Sequence, residues 1–190
     1  VFDQMRKLQS YTDEGSPGRD WNVATGMVIE GKAGFQIMGD WAKGEFTAAG
    51  KKPGVDYYCA ATPSNNGYLY NVDSFIFYKT SDPDKQAGQK LLAKLMMGKN
   101  FQKVFNLYKG SIPARLDVPM DEFDSCAKTS NSDIKTAGAK GGLVPSFAHG
   151  MAQGNTMKAA LQDVITEHFN SNMSSKDAAN ALADSVLSNM

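Results

Sequence analysis

Apolar residues recur at helical spacing over most of this chain and alternate with polar ones over only a few short stretches. Val1, Met5 and Leu8 predict a helix over residues 1–9, followed by a Gly-, Pro- and Asp-containing loop over 11–18. Asp20 stands where it can cap a second helix bearing Ala24, Met27 and Val28, which stops at Gly31. Strand alternation follows from Lys32, with Ala33, Phe35 and Ile37 on one face, and ends in Gly39-Asp40-Trp41. A short helix after Trp41 is closed by Gly50 and Pro53. Asp56 to Ala61 reads as a second strand, and Pro63 to Gly67 as a turn cluster. Ser74 to Lys79 reads as a third strand, with Phe75 and Phe77 on one face and Ile76 and Tyr78 on the other.

The second half is helical. Asp82-Pro83-Asp84 combines a capping side chain, a first-turn proline and an acid at the positive end of the dipole. That helix carries Leu91, Leu92, Leu95 and Met96 and breaks at Gly98; the next carries Phe101, Val104, Phe105 and Tyr108. After the turn Lys109–Pro113, residues 119–136 read as a weakly patterned helix and 138–150 as a glycine-rich loop. Residues 156–169 form a helix bearing Leu161, Val164 and Ile165. Ser174 with Asp177 opens the last one, in a capping-box pattern, ahead of Ala179, Leu182, Ala183, Val186 and Leu187. Helices around a few short strands make the class α/β or α+β in one domain.

Composition narrows the function. At 190 residues the chain can bury its own core, and 42% hydrophobic with 21% charged residues is an ordinary globular mix. Lys+Arg equals Asp+Glu, at 20 each, which gives no support for nucleic acid or another polyanion as partner. No apolar stretch approaches the ~20 residues that span a bilayer. Cys59 and Cys126 read equally as two buried thiols or as a disulfide, and with no histidine cluster beside them they are poor metal ligands.

The candidate chemistry lies in the turns. Trp41 follows a glycine turn at a strand end, and Asp73, Lys109 and His149 sit in similarly turn-rich settings. An indole face with one acceptor and two potential donors matches a pyranose, which has an apolar C–H face and a rim of hydroxyls. Each residue also has an ordinary reading. Trp41 and Trp21 can be core, Asp73 a turn residue, Lys109 a solvated lysine and His149 a structural histidine. Asp40 reads as the cap of the helix after Trp41, and His168 as a helix-end or surface residue. Asp40 and Asp73 form the only plausible carboxylate pair for a glycosidase, and nothing sets their separation. No nucleophile elbow, phosphate loop or metal cluster appears, so neither a catalytic residue, a metal nor a cofactor is expected.

Several segments carry a family resemblance: Gly31-Lys-Ala-Gly-Phe-Gln-Ile-Met-Gly-Asp-Trp41, Trp21-Asn-Val-Ala-Thr25, Asn71-Val-Asp-Ser-Phe75, Lys109-Gly-Ser-Ile-Pro-Ala-Arg115 and Ser146-Phe-Ala-His-Gly150. Together they resemble the extracellular solute-binding proteins of sugar ABC transporters, nearest the glucose/mannose-binding branch of Gram-negative bacteria. The resemblance implies a periplasmic, non-catalytic binding protein of two hinged lobes with the sugar between them. Residues 1–190 would be the C-terminal lobe, a helix-rich periplasmic-binding-protein type II lobe, with the N-terminal lobe absent. It implies that Trp41 stacks on a monosaccharide of the glucose/mannose class and that Asp73, Lys109 and His149 bond its hydroxyls. Arg115 is expected to pair with a carboxylate. The implied partners are the N-terminal lobe and an ABC permease, and in the periplasm Cys59 and Cys126 are expected to pair. The competing expectations are a lone lobe that binds little sugar and self-associates, or a glycosidase-like enzyme.

Overall fold

The helical periodicities become helices, and none of the three alternating segments becomes a strand. The computed structural model describes residues 1–63 and 67–189, so most of the turn cluster at 63–67 lies outside the described residues. In chain order the elements are α1 (Phe2–Gln9), α2 (Trp21–Ile29), a 3-10 turn (Asp40–Ala42), α3 (Lys43–Ala48), β1 (Tyr68–Tyr70), α4 (Pro83–Met96), α5 (Lys99–Lys109), α6 (Ser125–Ala139), β2 (Leu143–Pro145), α7 (Asn155–Asn170) and α8 (Ser175–Ser188). β1 and β2 pair in a two-stranded sheet. The architecture is helix-rich around a few short strands.

The strongest start signals work as their chemistry requires. Asp82 Oδ1 accepts from the amides of Asp84 at 2.9 Å and Lys85 at 3.3 Å, with Pro83 in the first turn of α4. Ser174 Oγ accepts from Asp177 N at 3.1 Å and donates to its carboxylate at 2.6 Å, closing the capping box of α8. Other starts differ. Asp20 stands at the N-cap of α2 without a side-chain cap bond. α6 begins at Ser125, not Pro119, because Asp124 Oδ1 accepts from Ala127 N at 2.8 Å and sets the first turn there. The residues before it instead fold back to seat Phe123 in a core cluster with Val118 and Ala127.

The chain packs as two compact units. The first comprises Val1–Arg19, Leu69–Asn71 and Val144–Met190; the second comprises Asp20–Tyr68 and Val72–Leu143. In the first, α7 packs on α8 and α1 packs on both. The Arg6 guanidinium holds this bundle's end by donating to the carbonyls of His168 (2.5 Å), Ser171 (2.7 Å) and Met173 (2.9 Å). One side chain thus meets a last-turn carbonyl of α7, the carbonyl of its C-cap Ser171 and that of Met173 in the turn to α8. His168 is fully buried there against Phe2, with ring centroids 4.8 Å apart.

In the second unit α3 packs on α2 and α5, and α4 on α5. Leu107, Ile112 and Met120 join the Val118–Phe123–Ala127 cluster, and Phe46 stacks on Tyr57 at 4.1 Å. Cys59 and Cys126 are bonded, with Cα atoms 5.7 Å apart, which fastens the 56–61 segment to α6. That segment, 32–38 and 74–79 are not strands among the described residues. A strand is defined by its ladder, and these segments have no partner strand there. Phe35 accordingly stays 96% exposed and Ile76 78%.

Candidate functional site

The chain around Trp41 is shaped by three glycines. Gly39 precedes the 3-10 turn Asp40–Ala42, and Trp41 folds its indole back over it, so that a Cβ on Gly39 would overlap ring carbons of Trp41. Trp41 is half-buried. Two residues past it, α3 crosses the end of α5 at closest approach. A Cβ on Gly44 would lie 2.8 Å from Lys109 O, and one on Gly110 would lie 2.5 Å from Gly44 N. Gly110 also has φ +89°, the left-handed cap that ends α5. A bulky residue at either position would force the two helix ends apart.

This crossing gathers charge. Lys109, the last residue of α5, forms an ion pair with Asp73, and its Nζ lies 5.9 Å from the centre of the Phe105 ring. Asp40 does not cap α3 as its sequence position implies. Its Oδ2 accepts from Ile112 N at 2.8 Å and ties the 110–113 turn to the residue before Trp41. Burial holds the Asp40 carboxyl above its ordinary value, opposed by the Ile112 amide and by the charges of Lys43 and Lys109. Lys43 is itself buried and donates to Asp124 Oδ2 at 2.7 Å, so a buried ammonium is matched by a carboxylate.

The structure thus brings Asp73 and Lys109 into contact and sets Trp41 and Asp40 beside the same helix crossing. His149 belongs to the first unit, where it is exposed and its Nδ1 shares a 2.7 Å hydrogen bond with Oγ of the buried Ser146. Arg115 pairs with Asp117 through Nε and Nη2, each at 2.8 Å, and donates to Met97 O, the structural role expected of it. Trp21, for which the sequence allows a core place or a helix-start contact, is the first residue of α2 and is 40% exposed, which favours the helix-start reading. Among the described residues no three His, Cys, Asp or Glu side chains gather to hold a metal.

Residues that the sequence reading passed over do much of the positioning. Gly44 inside a short helix was the available signal, because a glycine there weakens the helix unless something must come close. The Lys43–Asp124 pair, 81 residues apart, has no local signature.

A profile of the bacterial extracellular solute-binding proteins matches residues 1–136. The chain belongs to this family. It is therefore of a binding class rather than an enzyme class, and its setting is extracytoplasmic. Relatives agree. It is 49% identical over 187 residues to a probable sugar-binding periplasmic protein of Brucella suis, covering 98% of this chain and 44% of that protein. A protein of the same description from Rhizobium meliloti is 46% identical over 187 residues, covering 98% and 45%. One from Mesorhizobium japonicum is 44% identical over 179 residues, covering 94% and 43%. The chain thus spans less than half the length of these relatives.

Proposed function

We propose that this chain is the C-terminal lobe of a two-lobe periplasmic solute-binding protein and supplies one wall of a cleft for a monosaccharide, glucose or a similar hexose. The observation that carries the reading is the Lys109–Asp73 ion pair beside the α3–α5 crossing that also positions Trp41. Both charged groups are partly open to water, and Trp41 is half-buried. A sugar C–H face laid on the indole meets a carboxylate that accepts from its hydroxyls and an ammonium that donates to them. We also propose His149, steadied by Ser146 in the first unit, as a separate sugar contact.

Closure of the longer protein's lobes on the sugar would give the form that an ABC permease receives. Discrimination between epimers follows from polar groups left unpaired when a hydroxyl points the wrong way. The lone chain has only part of the contacts, so its affinity is on the order of millimolar. Calorimetry with glucose, mannose and galactose tests the reading, with Asp73→Asn and Lys109→Met as paired controls. Binding of one hexose that both variants abolish supports it; equal heats in the variants contradict it.

A second reading concerns the chain alone. Phe35, Ile37, Phe75 and Ile76 of the second unit are each exposed, which favours self-association over sugar binding when no other polypeptide covers them. Size-exclusion chromatography across concentrations separates monomer from dimer.

A further inference from the structure

Trp41 and Lys109 stand on different elements of the second unit, and two contacts join those elements. The first lies after Trp41: Gly44 of α3 comes so close to the end of α5 that a Cβ there would lie 2.8 Å from Lys109 O. The second lies before it: Asp40 Oδ2 accepts from Ile112 N at 2.8 Å. The two contacts bracket Trp41 on one segment and Gly110 on the other. The glycine approach sets a distance and carries no direction. The hydrogen bond is directional, and with an ionised acceptor it is of the stronger kind.

The turn after Lys109 is also held by its own helix. Ser111 Oγ donates to Asn106 Oδ1 at 2.9 Å, and Ala114 N donates to Gln102 Oε1 at 3.1 Å. Asn106 is buried, and its Nδ2 donates to Gln102 O at 2.7 Å. These bonds fix the turn to α5 and do not set where Trp41 stands. The Ile112–Asp40 bond reaches out of α5, to the residue beside the indole. Asp40 is suited to that task. Lys43 and Lys109, whose charges act on it, bond other carboxylates, Asp124 and Asp73. Tyr68 of β1, whose hydroxyl shares a 2.6 Å hydrogen bond with Ser130 Oγ, also feels the Asp40 charge.

We infer that Asp40 is a positioning residue that locks the Trp41 indole and the Lys109 ammonium into one fixed arrangement without touching sugar itself. When that bond is lost, the 110–113 turn stays on α5 while the Trp41 turn can pivot on the glycine contact. Indole and ammonium then no longer keep a set spacing. A sugar engages both at once, so lost preorganisation lowers affinity even though each group remains. The consequence for sugar rests on reading this face as a hexose site; the link between the two residues does not.

The test is amide and indole NMR of this chain and of its Asp40→Ala and Asp40→Asn variants, with and without glucose. Asparagine keeps an oxygen acceptor of the same reach and loses the charge. In the wild-type chain the Ile112 amide resonance is expected to titrate with Asp40, at a midpoint above the ordinary 3.8, because burial raises it. In Asp40→Asn that titration vanishes while the Trp41 indole and Lys109 resonances stay in place. In Asp40→Ala all three resonances move and the Ile112 amide exchanges about tenfold faster, with circular dichroism unchanged. Glucose affinity falls about tenfold in Asp40→Ala and stays within about twofold of wild type in Asp40→Asn. An Ile112 amide that titrates alike in wild type and Asp40→Asn overturns the inference. So does a folded Asp40→Ala in which Trp41 and Lys109 are unmoved. If the alanine variant fails to fold, the Ile112 titration in the other two chains decides. A wild-type chain that shows the link and binds no glucose sinks only the sugar reading; glucose binding untouched by Asp40→Ala sinks only the positioning role.

Discussion

The indole of Trp41 lies directly over the backbone of Gly39, at a separation that leaves no room for a methyl group. One glycine therefore sets the pose of the residue proposed to stack on the sugar. Gly39→Ala must turn the ring away, at a cost typical of overpacking, about 1–3 kcal/mol. We expect Gly39→Ala and Trp41→Ala each to lower glucose affinity about tenfold, with the fold retained. Tryptophan fluorescence of both variants, with and without glucose, checks this; an unaltered affinity in Gly39→Ala would mean that the indole's pose is not used.

Gly44 and Gly110 meet where α3 crosses the end of α5. At Gly110 an alanine carries two penalties, a φ of +89° and a Cβ 2.5 Å from Gly44 N. Together these destabilise the second unit by about 3 kcal/mol. Urea denaturation is the readout, and the loss is expected to spread to the Lys109–Asp73 pair, visible as altered amide shifts at both residues.

The bond between Cys59 and Cys126 closes a loop with a sequence separation of 67. In the chain-entropy account a loop of that length is worth about 4 kcal/mol. Reduction with dithiothreitol is expected to lower the urea midpoint of the second unit and to leave hydrogen exchange in α7 and α8 unchanged. A Cys59→Ser, Cys126→Ser double variant of unaltered stability would contradict this.

Acid is expected to act first on α7. His168 is fully buried, and burial pushes its imidazole below the ordinary 6.5, with the Arg6 guanidinium adding to the shift and Asp3 opposing it. The folded state thus binds the proton less well than the unfolded chain. The stability from a neutral His168 is complete above pH 6.5 and is lost as pH falls from there through the lower folded value. Protection of the α7 amides, measured relative to their intrinsic exchange rates, should therefore fall as pH drops below 6.5. His168→Phe should flatten that dependence; a variant with the wild-type profile would remove His168 as the cause.

Helices were legible in the sequence because their signals are local. Asp82-Pro83-Asp84 and Ser174 with Asp177 start α4 and α8 through bonds spanning two or three residues. The strands were not, because a ladder depends on a partner that alternation alone does not supply: 32–38 and 74–79 carry the pattern and lack the ladder. Asp40 shows the same limit at the site. Its place before a helix suggests a cap, while its acceptor role is spent on Ile112, 72 residues away. His168 was placed at a helix end correctly, but its burial depends on Phe2, from the other end of the chain. The ion pair between Asp73 and Lys109, 36 residues apart, likewise had no local signal.

The central claim is that Trp41, Asp73 and Lys109 of the second unit form a sugar-binding face. A glucose titration of this chain followed by amide NMR, with Trp41→Ala in parallel, tests it most directly. The account predicts saturable shifts at these three residues, at millimolar glucose, that vanish in the variant. A folded chain whose shifts under glucose lie elsewhere, or persist unchanged in Trp41→Ala, would contradict it.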